Sequence, residues 1–279
     1  MNVSRLNSHY WNQLCGSRAA RKLGISAGDP NGVAIFDEWF FNFYPYVADD
    51  RFIPWSTLGS ASVLEIGLGY GSVTRRLGSV AKSVVACDIS PGPVGFAHAT
   101  TSRVAATQAS ALDLPFCSES FDVVISLGCL HHTGDLHRSL RECLRVVKPG
   151  GLMVVMVYNR YSYKRWIVAP LNTWQSWRQE RRGRIVATGT SAPRRVSWFW
   201  DRSPSGSAPP HTEFASRHSL QTEFSDVSSI RTNAVNVDNI NDLLPMRIQW
   251  RGIDKLRVWL LETSLSRRLG LDLYCVITK

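Results

Sequence analysis

The chain has no C-x-x-C pair. Its six cysteines, Cys15, Cys87, Cys117, Cys129, Cys143 and Cys275, are scattered over 279 residues without metal-ligand spacing. No metal site is expected, and the thiols read as mostly reduced cysteines of a cytoplasmic protein. Long apolar runs are also missing. The longest, Leu152 to Tyr158, falls far short of the ~20 residues that cross a bilayer and reads as a buried strand. Met1 to Asn7 lacks an apolar stretch, so no signal peptide is expected. No internal repeat is visible. Acid is scarce: 22 Asp and Glu stand against 32 Lys and Arg, a net charge of +10. Ten basic residues and only two acids, Glu180 and Asp201, lie between Tyr158 and Arg202. Most of the excess therefore sits in one segment, which can attract nucleic acid, anionic lipid or an acidic substrate, or can simply be solvated.

What remains is an ordinary globular composition, 44% hydrophobic and 19% charged, long enough for one or two domains with a sizeable core. The chain is organised around Val63-Leu64-Glu65-Ile66-Gly67-Leu68-Gly69-Tyr70-Gly71. An apolar strand enters three glycines on alternate positions. A helix pattern follows, with Val73 and Leu77 on one face. Strand–glycine turn–helix is where an open α/β sheet binds a ligand. Asp88 ends a second strand, Ser83–Asp88, at the distance where such folds place the acid that holds a ribose diol.

Residues 61–158 alternate strand and helix, the mark of a parallel sheet. The spacing predicts strands at Ser62–Gly67, Ser83–Asp88, Ala105–Ala109, Phe121–Leu127 and Leu152–Tyr158. Helices are predicted from about Gly71, from Pro91-Gly92-Pro93, and along Leu136, Leu140, Leu144 and Val147, the last ending at Lys148-Pro149-Gly150-Gly151. Before the sheet, helices are predicted over Ser4–Leu23 and Ala34–Val47. Residues 159–213 break the alternation and hold half the tryptophans. There Ile167, Leu171 and Trp174 form the apolar side of a helix whose other side is basic, and the segment reads as an insertion over the sheet's ligand edge. The chain closes with a helix at Arg217–Phe224, a strand at Val227–Val235, a helix at Asp254–Leu269 with Val258, Leu261, Leu265 and Leu269 on one face, and a final strand at Leu273–Thr278.

Two cofactor classes compete for the glycine turn. Dinucleotide folds use G-x-G-x-x-G, but here the third glycine comes one residue early. Glu65 is awkward beside a pyrophosphate and suits a ligand with an amino group. Glu65 to Gly71 resembles the first motif of class I S-adenosylmethionine-dependent methyltransferases. Leu114-Pro115-Phe116, Ser120-Phe121-Asp122-Val123-Val124, Leu130-His131-His132 and Leu144 to Gly151 resemble the motifs that follow. Their order is similar to the ubiquinone/menaquinone-biosynthesis branch (methyltransferase type 11), over about residues 61–158. Tyr10-Trp11-Asn12 with Cys15-Gly16-Ser17 resembles an N-terminal motif of some bacterial members.

The resemblance implies a Rossmann-like α/β fold: a seven-stranded, mostly parallel sheet with an antiparallel C-terminal strand. It divides the chain into an N-terminal helical lid (1–55) and a methyltransferase domain (56–279) with a basic, Trp-rich cap at about 159–213. The implied cofactor is S-adenosyl-L-methionine. Gly67, Leu68, Gly69 and Gly71 would let the backbone approach its methionine part, with Glu65 near the amino group. Asp88 would accept from the ribose, Ile89 would pack on adenine, and Leu127 would flank the sulfonium. Ser110 and Ala111 occupy the adenine-edge position where the family often has an acid; serine adds no charge there. His131 and His132 are the candidate general bases, against a reading as a helix-start motif. Tyr10, Trp11, Tyr158, Tyr161 and Tyr163 are candidate acceptor-site residues, with His211 and Glu213 as weaker ones.

The implied reaction is in-line methyl transfer to O, N or C of a small or medium-sized organic acceptor. Three alternatives stay open. An RNA acceptor could dock on the basic segment, although no RNA-binding module is legible. A quinone or lipid acceptor could be reached through peripheral membrane contact. A cofactor-binding partner protein is the non-enzyme reading. A dehydrogenase is disfavoured by the glycine spacing and Glu65.

Overall fold

The computed structural model describes residues 3–13, 17–26, 28–184, 188–191, 194–197, 200–201, 203, 206–237, 257, 259–261 and 263–279. Its centre is a seven-stranded sheet in the order β3-β2-β1-β4-β5-β9-β8. The strands are β1 (Ser62–Ile66), β2 (Ser83–Asp88), β3 (Val104–Gln108), β4 (Phe121–Leu127), β5 (Val147–Tyr158), β8 (Ser229–Val235) and β9 (Asp272–Thr278). A separate two-stranded ladder joins β6 (Thr190–Ser191) to β7 (Glu213–Phe214). All pairings from β3 to β5 are parallel, and β9 runs antiparallel to both its neighbours. This is the Rossmann-like sheet expected from the sequence. Strand order reverses between β1 and β4, so a crevice opens beyond their carboxyl ends.

Burial on both faces explains why the central strands read as continuous apolar runs. Leu64 pairs in register with Val85 and Val124, and all three belong to one core layer. The helices are α4 (Ser72–Val80), α5 (Pro91–Thr100) and α6 (Leu136–Val146) between strands, and α10 (Arg217–Glu223) beside the sheet. Asp135 caps α6 by accepting from Arg138 N at 3.0 Å, and Leu136, Leu140 and Leu144 are buried as their spacing requires. At the far edge of the sheet Asp122 accepts from Ser62 N (2.8 Å) and Lys148 (2.8 Å). Those hydrogen bonds hold its carboxyl well below the usual carboxylate range.

Several boundaries differ from expectation. The N-terminal helix is two pieces, α1 (Val3–Trp11) and α2 (Ser17–Lys22); Leu14, Cys15 and Gly16 lie outside the described residues. α3 (Val33–Phe43) stops before Pro45, which cannot continue a helix, and a 3-10 turn covers Pro45–Ala48. β5 begins at Val147, because Val147 pairs with Phe121 before the register shifts around Gly150-Gly151. The cap contains α7 (Tyr163–Val168), α8 (Pro170–Arg181) and α9 (Arg194–Ser197). Near the C-terminus, Thr263 starts a new helix, α11 (Ser264–Leu269), by accepting from Ser266 N. That break rotates Leu265 out of the predicted stripe and leaves it exposed. Asp254 and Val258 lie outside the described residues.

Candidate cofactor and methyl-transfer site

The crevice at the strand-order reversal is a cleft of about 790 Å³ when the open solvent at its mouth is included. The glycine turn forms its floor. Gly67 has φ 86°, and a Cβ there would lie 2.4 Å from Cys129 Cβ, so no larger residue fits. Gly71 (φ 81°) is the N-cap of α4. Arg75 fastens the turn from outside: it donates to Tyr70 O (3.0 Å) and pairs with Asp37 on α3 (2.7 Å). Tyr70 stacks on Phe36 of α3 at 3.9 Å, so the aromatic helix before the sheet packs on the turn.

Asp88 stands at the end of β2 and is almost fully buried. Its Oδ2 accepts from Leu68 N (3.0 Å) and its Oδ1 from Ser90 N (2.9 Å). Burial raises its pKa, and these backbone donors pull it back. The carboxylate is thus oriented, with lone pairs left for a ligand. Glu65 lies on β1 beneath the turn. Its Oε2 is buried and has no hydrogen-bond partner among the described residues. Burial pushes its pKa up to about 8, which the adjacent Thr74 hydroxyl and nearby Arg75 only partly offset. A buried carboxyl oxygen without a donor is costly unless a ligand supplies one. A ligand carrying an amino group and a ribose diol suits this pair of acids, and the glycine cradle leaves room for its backbone approach.

Gly67, Gly69, Asp88, Ile89, Ser110, Ala111 and Leu127 line the cleft. Glu65, Leu68 and Gly71 stand behind its wall. Ser110 Oγ accepts from Leu112 N (3.2 Å), which shapes the loop at the adenine-edge position. That loop is fastened from α6. Glu142 accepts from Leu114 N (3.0 Å), while Arg145 donates to Leu114 O (3.1 Å) and Phe116 O (2.9 Å).

The cleft is roofed by α1, which lies in the segment read from the sequence as an N-terminal helical lid. Ser4, Asn7 and Trp11 face into it. Asn7 donates to His132 O (2.8 Å), Ser90 Oγ donates to Ser8 O (3.0 Å), and Gly92 N donates to Asn12 Oδ1 (2.7 Å). Trp11 packs on the His132 ring at 4.7 Å. Tyr10 points the other way and donates to Ser207 O (2.9 Å) in the cap.

The two histidines occupy different places. His132 lines the cleft, with Nδ1 2.8 Å from His211 O and Nε2 3.2 Å from Asp201 Oδ2. Each ring nitrogen thus faces an oxygen, and the tautomer decides which of them donates. His131 is fully buried behind the cleft wall, 4.0 Å from the Tyr158 ring, and burial drives its pKa well below the usual value. Tyr158 donates to Asp201 Oδ2 at 2.7 Å. Burial tends to raise the Asp201 pKa, but His132 and Tyr158 hold it below the ordinary range. Asp201 was missed in the sequence because it is 69 positions from His132 and has no motif around it.

Tyr158, Tyr161 and Tyr163 do not reach the cleft. The chain turns sharply at Asn159, whose N–H donates to Leu271 O (2.8 Å), and carries the later tyrosines into the cap. Tyr163 lines a groove with Leu260 and Leu265 instead. His211 contributes its carbonyl, and Glu213 accepts from Leu136 N (2.8 Å) at the start of α6. No group of three potential metal ligands occurs among the described residues.

A protein-family model described as a methyltransferase domain matches residues 64–155. The chain is 32% identical over 114 residues to a "Probable S-adenosylmethionine-dependent methyltransferase" of Mycobacterium tuberculosis, covering 41% of this chain and 42% of that protein. It is 34% identical over 110 residues to a demethylmenaquinone methyltransferase of Tropheryma whipplei, covering 39% and 45%. The chain thus spans under half the length of these curated relatives. Among solved structures, an S-adenosylmethionine-dependent methyltransferase of Mesorhizobium loti aligns with a TM-score of 0.53 at 16% identity, over 84% of this chain and 97% of that one. A methyltransferase of Haloferax volcanii, solved with a methyltransferase activator, aligns with a TM-score of 0.53 at 18% identity, over 89% and 94%. Residues 64–155 thus match a methyltransferase domain, and the wider chain shares the fold of these methyltransferase structures.

Proposed function

We propose that this chain is an S-adenosylmethionine-dependent methyltransferase for a small or medium-sized organic acceptor, methylated on O, N or C. The observation that carries the reading is the pair of buried acids at the cleft: oriented Asp88, and Glu65 with an unpartnered oxygen beneath the glycine turn. When bound, such a cofactor supplies a methyl group already activated on sulfonium. Asp88 would accept from the ribose hydroxyls and Glu65 would receive the amino group. Ile89, Ser110 and Ala111 would bound the adenine, and Leu127 would flank the reacting end.

The acceptor side is the wall formed by Trp11, Cys129, His132 and Thr133. α1 closes this wall from above, which supports a small acceptor and excludes water from the transfer. His131 is sealed from the cleft, and both nitrogens of His132 are engaged. We assign His132 as a positioning residue held by Asp201, and we assign the protein's main contribution to alignment. Alignment can supply up to ~7–11 kcal/mol. Among the described residues no helix is long and apolar enough to cross a membrane. The described cysteines are free thiols, which supports a cytoplasmic setting.

Calorimetry with S-adenosylmethionine and with NAD tests the cofactor. Heat with the first and none with the second is expected; the reverse would make the protein a dinucleotide enzyme. A labelled methyl-donor assay against small-molecule extracts and against RNA then identifies the acceptor class.

A further inference from the structure

The cap is built inside out. Arg160 before α7 and Lys164 and Arg165 on it are buried, while apolar side chains on α7 and α8 face solvent. Ile167 is 60% exposed, Leu171 73% and Trp174 45%. Positions 171, 174 and 178 of α8 are spaced to share one helical stripe with Trp177 beside it, and Ile167 precedes them on α7. Of nine exposed large apolar side chains among the described residues, four fall within 167–177. Leu265 of α11, 52% exposed, extends the patch: it and Ile167 line one apolar groove with Tyr163, Leu260 and Leu269.

Charge around this patch is segregated by sign. Arg178, Arg181, Arg182, Arg184, Arg217, Arg267 and Arg268 are exposed, and none has an acidic partner within ion-pair distance among the described residues. Arg178 lies over the Trp174 ring at 5.2 Å, and Arg181 over the Trp177 ring at 5.0 Å. The acids of this region turn inward. Glu180 accepts from Ser216 Oγ, Asp201 meets His132, and Glu213 and Glu223 are buried. The cap thus presents aliphatic tips and tryptophans backed by arginines, and no outward negative charge among its described residues.

We propose that this face of α7, α8 and α11 docks on an anionic lipid bilayer. Leu171, Ile167 and Leu265 would enter the acyl boundary, Trp174 and Trp177 would lie at headgroup level, and the arginines would meet lipid phosphates. The most outward side chains are aliphatic, which serves a bilayer and does nothing for the phosphodiesters of RNA. They also protrude from helices rather than form a deep slot for a partner helix. No described helix is long enough to span, so the contact is peripheral. The inference does not rest on methyl transfer.

The test is vesicle co-sedimentation of the full chain, with phosphatidylcholine alone and mixed with phosphatidylglycerol. Binding to the anionic vesicles is expected, reduced by salt and weak on the neutral ones. Leu171→Glu should weaken it about tenfold or more, because an apolar insertion becomes a charge. Arg178→Gln should weaken it about fivefold. Both positions are exposed, and thermal melting checks that each variant is folded. No binding by the parent chain would overturn the proposal, as would full binding by Leu171→Glu. Binding to single-stranded RNA in preference to vesicles, or self-association that Leu171→Glu abolishes without any vesicle binding, would also overturn it. Calorimetric cofactor affinity of Leu171→Glu should equal that of the parent, which separates this test from that of the methyltransferase reading.

Discussion

Helices α6 and α8 are nearly the same length and bury opposite things. α6 turns Leu136, Leu140 and Leu144 to the sheet and leaves its arginines partly in water. α8 buries Thr173, whose hydroxyl donates to Ala169 O at 2.7 Å, and exposes Leu171, Trp174 and Trp177. What fastens α8 is polar: Glu180 reaches Ser216 and lies 3.9 Å from Arg160, itself fully buried. A periodic apolar stripe therefore shows that a helix has two faces, while the side that is buried depends on what the neighbouring elements offer. In the sheet the neighbours offer apolar strands. In the cap they offer hydroxyls, carbonyls and cations.

The largest test of this contrast is Glu65, a carboxyl that the sheet buries with one oxygen unpartnered among the described residues. Glu65 holds its proton up to about pH 8 in the fold, against an ordinary 4.5. Its contribution to stability is fully present below about pH 4.5 and is lost as pH rises through about 8, because the unfolded chain ionises first. The loss amounts to at most about 5 kcal/mol. Thermal melts of the ligand-free protein between these limits should slope downward, and Glu65→Gln should flatten the slope. A parent curve with no slope there would remove Glu65 as an ionisable group awaiting a partner.

Leu140→Ala should cost about 2–5 kcal/mol by denaturant unfolding, as a fully buried leucine that leaves a cavity. A cost below about 1 kcal/mol would mean that the α6 side of the comparison is wrong. Asp88→Asn should lose about 1.5–3 kcal/mol of cofactor affinity in a titration, while retaining the acceptor for Leu68 N. Asn7→Ala removes a bond between α1 and the cleft wall and should weaken cofactor retention by about 1 kcal/mol, read as faster dissociation. Smallest is Leu171→Ser, which should change stability by no more than about 0.5 kcal/mol. A Leu171→Ser cost like that of Leu140→Ala would show that α8 packs in solution as α6 does.

Much of the fold was legible because its signals are local. The β1–glycine turn–α4 unit, Asp88, and the stripe of α6 each lie within a few residues of chain, where periodicity and turn chemistry act directly. The candidate site was half legible. Asp88 and the residues from Ser110 to Leu127 that border the cleft follow the motifs. Ser4 and Asn7 escaped notice because nothing near them marks a ligand contact; they matter only once α1 lies across the crevice. Asp201 and the carbonyl of His211 escaped for the same reason, since they meet His132 through the path of the cap. Tyr161 and Tyr163 misled because closeness in sequence to β5 was read as closeness to the cleft, whereas the turn at Asn159 separates them.

By itself, the sequence determined the parallel core, the glycine floor and the acid at the end of β2, since strand alternation, positive-φ glycines and a carboxylate's place after a strand are short-range constraints. The tertiary structure decided the roof over the cleft, the engagement of both His132 nitrogens, and the outward turn of the cap's leucine and tryptophans. Those depend on which distant groups meet, and burial of any one side chain is settled by the surface opposite it.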